Sequence, residues 1–351
     1  MRACRGEVCQ TAVASAQPSQ PQARAEVDRS QESAARALVE QAEARGLLRA
    51  FGRGRQLPKQ LYTIEELRLN KVEPEKLLAP NDETLARVRN ITQAAAAAGL
   101  AALAWTSFDE WGGFDVTRVV AALAGVTFTL VADQVANGGG GEALVVDTLG
   151  RLLDPKYGKR VALHEAGHLL IAYLLGVMPK AYTLSSLDAF MRYRALNIQA
   201  GTTFCDTAFE AEVSSGRLSG GTLDKYTCVA LAGVVTEYLR FGQAEGGVGD
   251  VAQLDQLMRA LGFTQKKADG QVRWAVLNVA SILRRHAALH DALAAAMGSG
   301  ESVGSCVALI EAALEGDAGA VLGAGEAEAG AAAFIGSSSA GTSAEASRQE
   351  P

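Results

Sequence analysis

The sequence predicts a mainly α protein: a helical domain with a short edge-strand region, preceded by a small helical module and an apolar helical hairpin. Three observations carry this. Apolar residues crowd two long stretches without helix breakers, Val161 to Gly176 and Leu223 to Phe241. Two runs rich in Ala, Leu and Val, Ala94 to Trp105 and Val119 to Ala132, flank a polar turn. Strand-like runs are few and short, namely Ala181 to Leu184 and Gly201 to Cys205.

Taken in order, residues 1–27 are rich in Ala, Ser and Gln with scattered Arg, and read as either an organelle transit segment or a disordered terminus. Residues 28–90 form the small helical module. Within it, Ala35, Leu38, Val39, Ala42, Leu47 and Leu48 fall near helical spacing over 28–50, and Gly52 and Gly54 end that helix. Thr63 and Glu66 form a capping box opening a second, short helix. Residues 91–136 are the apolar hairpin. Each run is shorter than the roughly 20 residues that span a bilayer, so a membrane hairpin and a buried soluble hairpin both fit. Gly138 to Gly141 reads as a flexible linker. Residues 145–315 carry the chemistry. There 208–240 is helical with a break at Leu218 to Gly221, and two further helices cover 250–261 and 271–297, with Gly262 to Gly270 between them. Residues 316–351 are Gly, Ala, Ser and Glu with few large apolar side chains, a disordered tail.

Composition narrows the function. At 48% hydrophobic and 21% charged, the 351 residues suffice for a sizeable core, and a net charge of −6 argues against nucleic acid as the main partner. Cys4, Cys9, Cys205, Cys228 and Cys306 are odd in number and contain no C-x-x-C pair. That suits a reducing compartment and speaks against a cysteine-based zinc site.

The apolar stretch Val161 to Gly176 contains His164-Glu165-Ala166-Gly167-His168, an H-E-x-x-H pattern. On a helix, positions i and i+4 share a face, so His164 and His168 can point at one metal ion, with Glu165 in reach of a water bound there. Zinc fits, because it takes neutral imidazole and carboxylate ligands. Gly167 leaves room for another backbone to approach, and Gly176, followed by Pro179, is the helix stop. An open zinc site needs a third protein ligand. His286 and His290 are also spaced i, i+4, but no Glu follows His286, and they read as surface or packing histidines. Asp250, after the Gly-rich loop Gly242 to Gly249, is either that ligand or an ordinary helix N-cap.

His164 to His168 on an apolar helix resembles the protease domain of FtsH-type zinc metallopeptidases. Leu231-Ala232-Gly233-Val234-Val235-Thr236-Glu237-Tyr238-Leu239-Arg240-Phe241-Gly242 is similar to that family's second signature helix. Leu61 to Asn70 and Leu261 to Trp274 are closest to plant and algal chloroplast FtsH-like proteins that lack an ATPase domain. The resemblance covers roughly residues 150–300. It implies a helical zinc metallopeptidase domain, with His164, His168 and Asp250 as zinc ligands and Glu165 as general base. Glu237 matches a Glu of the family's helix and would orient a ligand. A chloroplast location, attachment to a membrane and an FtsH-type ATPase partner follow as expectations. Two departures accompany it. No G-x-x-x-x-G-K-[ST] loop occurs, so ATP binding by this chain alone is not expected. Tyr182 to Asp188 stands where the family's substrate strand would be sought, and differs from it.

The leading expectation is therefore a zinc-dependent endopeptidase acting on unfolded or damaged proteins. The alternative is a membrane-associated, non-cleaving scaffold or chaperone-like partner of an ATPase-bearing FtsH-type protease. A purely structural zinc site is weaker, because such sites are usually rich in cysteine and closed.

Overall fold

A computed structural model of the protein describes residues 44–77, 80, 83–106, 116–194, 201–205 and 217–315, with single positions at 37, 41, 42, 209, 211, 212 and 215. The expected transit segment, the tail and most of the 28–50 helix lie outside these residues. The fold is mainly α with one two-stranded sheet. In chain order the elements are α1 (Ile64–Leu69), α2 (Pro74–Leu77), α3 (Glu83–Thr106), α4 (Val116–Asn137), α5 (Gly140–Leu153), α6 (Pro155–Leu174), β1 (Met178–Thr183), α7 (Ser186–Tyr193), β2 (Gly201–Cys205), α8 (Gly220–Phe241), α9 (Val248–Ala260), α10 (Gln265–Arg285), α11 (Ala287–Gly298) and α12 (Val303–Glu315).

The centre is α6, which carries the H-E-x-x-H residues. Asp154 caps it, its carboxylate accepting from the Lys156 amide at 2.8 Å, and Pro155 takes the first turn, where no N–H is needed. The second half, Leu169 to Leu174, is no more than 1% exposed on any side. A helix apolar all round must be enclosed by other elements, and α8, α11, α10 and β1 enclose it. At its end Gly176 adopts φ +78°, the left-handed stop that the sequence indicates.

The segment before α1 seals that end. Gly52 N donates to Tyr173 O at 3.1 Å and Gly54 N to Leu174 O at 2.8 Å, so two of the helix's terminal carbonyls are satisfied by the N-terminal segment. Ala50, Leu67, Val72 and Leu77 belong to the same buried cluster as α6, α8 and α10. The Thr63–Glu66 capping box is present in full.

The strands pair antiparallel, Met178 opposite Cys205 and Thr183 opposite Gly201, with an irregularity between Pro179 and Ala181. Pro179 has no N–H for the ladder.

Three expectations change. Gly138 to Gly141 is not a flexible linker. Gly138 and Gly139, at φ +59° and +80°, reverse the chain, and α5 begins at Gly140 with the Asp133 carboxylate accepting from the Gly141 and Glu142 amides. The loop expected at Gly262 to Gly270 is shorter, because Thr264 caps α10 and the helix runs through Gly270. The single helix expected over 271–297 is broken at His286, which ends α10 and precedes α11.

The hairpin helices α3 and α4 pack against each other and against α5. Their connecting turn, Asp109 to Asp115, lies outside the described residues. A hairpin buried in the chain's own core is not what forms: from Val119 to Asn137 none of α4 is buried, and Val120, Leu123, Val126, Phe128, Leu130, Val131 and Val135 are exposed.

The last described helix ties to the first described segment through Glu311, whose carboxylate accepts from the Arg49 amide at 2.8 Å and the Ala50 amide at 3.0 Å, and from the Tyr173 hydroxyl. Ala50 is 1% exposed, so water does not readily replace the bond its amide makes, whereas the Arg49 bond is exposed. Glu311→Ala should lower unfolding free energy by about 1–3 kcal/mol, the cost of leaving buried donors unpaired. A urea midpoint unchanged at constant slope would show that the tie is not stabilising.

Candidate metal centre

Two helices and one loop build the site. α6 supplies His164, Glu165 and His168. α8 crosses it closely, because a Cβ on Gly167 would meet Thr236 Oγ1 at 2.2 Å, and a Cβ on Gly233 would stand 2.1 Å from His164 Nε2. The backbone of α8 therefore runs directly beneath the His164 ring. The loop after α8 then returns and delivers Asp250 from the first turn of α9, whose N-cap is Gly247 rather than Asp250. The reading of Asp250 as an ordinary N-cap is thereby set aside.

The two imidazoles face one another, Nε2 to Nε2, at 3.1 Å, and Asp250 Oδ2 lies 3.3 Å from His164 Nε2 and 3.5 Å from His168 Nε2. The three ligand atoms lie within 4.8 Å of one another. Their other ring nitrogens are already committed. His168 Nδ1 donates to the Val229 carbonyl at 2.8 Å, and His164 Nδ1 to Glu237 Oε1 at 2.7 Å. Such bonds put the proton on Nδ1 and leave the Nε2 lone pair free for a cation. The donor set fits a metal ion: two imidazole nitrogens and one carboxylate oxygen converge from separate elements, each held from behind.

Electrostatics agree. Burial works against charge on His164, but Asp250 and Glu237 outweigh it and hold the imidazole well above its ordinary value. Burial pushes the Glu237 carboxyl up, yet His164 and the Glu245 and Gly246 amides bring it down to about 2. Burial raises Asp250 likewise, and the hydrogen bonds to His164 and His168 take it well below the usual carboxylate range. A buried carboxylate, Glu237, and a partly exposed one, Asp250, thus flank the imidazoles, a site that favours a positive charge.

Glu165 is 5% exposed, and its Oε2 accepts from the Thr202 hydroxyl of β2 at 2.7 Å. Asp250 is the most open of the group, with a third of its side chain exposed, so access lies on the α9 side. All five residues singled out in the sequence, His164, Glu165, His168, Glu237 and Asp250, therefore meet here. His286 and His290 do not. Both are buried, and His290 Nε2 donates to the Leu163 carbonyl at 2.9 Å. They are packing histidines.

Sequence reasoning missed Arg160, Thr202 and Gly233. Arg160 stands one turn before His164 on the same helix face, a spacing that could have pointed to it. Nothing in the sequence marks Thr202. Gly233 lies within the second signature helix, but its need for bareness appears only when α8 is laid against α6.

Fold and site together define a helical protein with a His-His-Asp centre able to hold a metal ion. No protein-family model, curated protein or solved structure matches the chain.

A metal ion needs both Nε2 atoms unprotonated, whereas without metal Asp250 and Glu237 favour the charged form of His164. Binding should therefore release protons at neutral pH, and apparent affinity should fall about tenfold per pH unit for each proton displaced as pH drops. Titration calorimetry in buffers of different ionisation enthalpy measures that release. Buffer-independent heats and flat affinity between pH 8 and pH 6 would contradict this arrangement.

Proposed function

We propose that the chain is a zinc-dependent metalloendopeptidase of the FtsH-like type, acting on unfolded or damaged protein chains. The observation that carries the reading is the convergence of His164, His168 and Asp250 on one point, with Glu165 beside the first of them. Of the metals that accept this donor set, zinc matches best, because imidazole and carboxylate suit it and a fourth position stays open. His164, His168 and Asp250 would hold the ion, which when bound would supply Lewis-acid polarisation of a peptide carbonyl and of water. Glu165 then takes the proton of the attacking water and hands it to the leaving amine. The Thr202 hydroxyl fixes the Glu165 carboxylate, and Glu237 fixes the His164 ring. The resemblance of His164 to His168 and of Leu231 to Gly242 to the FtsH-type motifs supports the substrate class, and that of Leu61 to Asn70 and Leu261 to Trp274 to chloroplast FtsH-like proteins supports a chloroplast location.

The bare hairpin supports attachment to a lipid bilayer. Val119–Asn137 has mean hydropathy 1.8 and none of it is buried, although α4 packs against α3 and α5. The segments before α3 and after α4 share one core, so the folded domain lies on one side of that bilayer. The domain would then sit at its surface. With phosphatidylcholine vesicles the protein should float, and Val126→Asp with Phe128→Asp, both exposed positions, should leave it at the bottom of the gradient. A parent chain that stays at the bottom would remove the membrane from this reading.

Catalysis is tested by Glu165→Gln. Both forms should hold zinc with equal stoichiometry. The parent should cleave casein and stop on chelation, and the variant should lose about 10²- to 10⁴-fold in rate. Equal cleavage by the two would sink the peptidase reading. The second reading, a non-cleaving partner of an ATPase-bearing FtsH-type protease, draws on the missing phosphate loop. It is favoured if the zinc-loaded parent cleaves nothing alone and co-purifies with such an ATPase.

A further inference from the structure

Arg160 has no part in the sequence motifs, yet it touches both halves of the candidate metal centre. It sits one turn before His164 on α6, with a side chain 19% exposed. Nη1 lies 3.2 Å from Glu237 Oε2, and Nη2 lies 3.0 Å from Glu245 Oε1. The guanidinium also stacks over Phe241, 4.3 Å from the ring centroid, which fixes its plane. Glu237 holds His164, and Glu245 belongs to the loop that brings Asp250 to the site. The same loop is pinned to Glu237 from its backbone, the Glu245 and Gly246 amides donating to Oε2 at 2.9 and 3.0 Å.

We infer that Arg160 is a positioning residue that clasps the Asp250-bearing loop to the His164-bearing helix, so that one guanidinium assembles the three metal ligands. The physical need is plain. Glu237 and Glu245 are two carboxylates brought into one partly buried pocket, and they repel each other. Without a cation between them, only the two amide bonds to Glu237 Oε2 oppose that repulsion and hold the loop over α8. A planar guanidinium reaches two acceptors at once in a fixed geometry, which a single ammonium does not. His164 would keep its Glu237 partner without Arg160, but Asp250 would lose its fixed approach. The role concerns metal capture and holds whether or not the centre cleaves peptides.

The test uses the full chain and zinc alone, with affinity measured by competition against a chromophoric chelator. Arg160→Met should weaken zinc binding by about 10- to 100-fold, the usual effect of losing a group that supports a ligand from behind. Glu245→Gln, which loosens only the loop side of the clasp, should weaken it in the same direction by less. The double variant should bind no more weakly than Arg160→Met, because the two residues act through one contact and loss of the Glu245 charge also removes the repulsion. Hydrogen exchange, read on a peptide spanning residues 242–250 in metal-free protein, should be faster in Arg160→Met, a change that acts before any metal binds. Arg160→Lys should be intermediate, and it carries the test with Glu245→Gln if the Met variant fails to fold. Zinc affinity within twofold of the parent in Arg160→Met, multiplying losses in the double variant, or unchanged exchange over 242–250 would each overturn the proposal. Normal zinc binding together with absent casein cleavage in the parent would count against the peptidase reading alone.

Discussion

The close crossing of α6 and α8 is the constraint on which the rest depends. Gly167 and Gly233 face each other's helices at distances that exclude any side chain. The approach has a cost. The Thr236 hydroxyl, buried against Gly167, has no hydrogen-bond partner, an arrangement that usually costs about 1–3 kcal/mol. What it achieves is geometric. Only with α8 this near can Glu237 reach His164 Nδ1 and the Val229 carbonyl reach His168 Nδ1. One helix carries two metal-facing rings, and the other locks both from behind.

Around that crossing the fold behaves as a set of braces. α10 packs on the far face of α8, and α11 on α6. β1 and β2 lie along α6 beside Glu165, and Thr202 reaches its carboxylate. The loop from Gly242 to Gly247 is an irregular piece with a chemical duty. It bends back over α8 because the Glu237 carboxylate gives its amides a buried acceptor. Charge and backbone geometry are satisfied by the same atoms, and this lets a loop aim a ligand as firmly as a helix does.

Much of this was legible in the chain itself. The i, i+4 spacing of His164 and His168 fixes two ligands on one face, and the Thr63 to Glu66 box and the Gly176 stop are local chemistry that reads directly. The strand limits at Gly201 and Cys205 match as well. Readings failed where a local signal was ambiguous. Four consecutive glycines suggest slack, yet Asp133, several residues earlier, caps the helix they open. Gly270 suggests a loop, yet Thr264 had already started α10. His286 breaks a stretch whose apolar pattern runs on unbroken. Thr202 and the partners of Arg160 were illegible for a different reason. The contacts span 37 and 77 positions, and no pattern within a window records such a meeting, although the spacing of Arg160 from His164 marks its place on the helix face.

The stitching of Arg49 and Ala50 to Glu311, and of the Leu57 amide to Asn278, has a consequence for biosynthesis. The segment that seals the end of α6 is made before α6, but its anchors emerge more than 200 residues later. While the ribosome is still adding α8 to α11, the carbonyls at the end of α6 have a partner strand with nothing to hold it in place. The seal on the end of α6 therefore cannot be completed until Asn278 and Glu311 have been made.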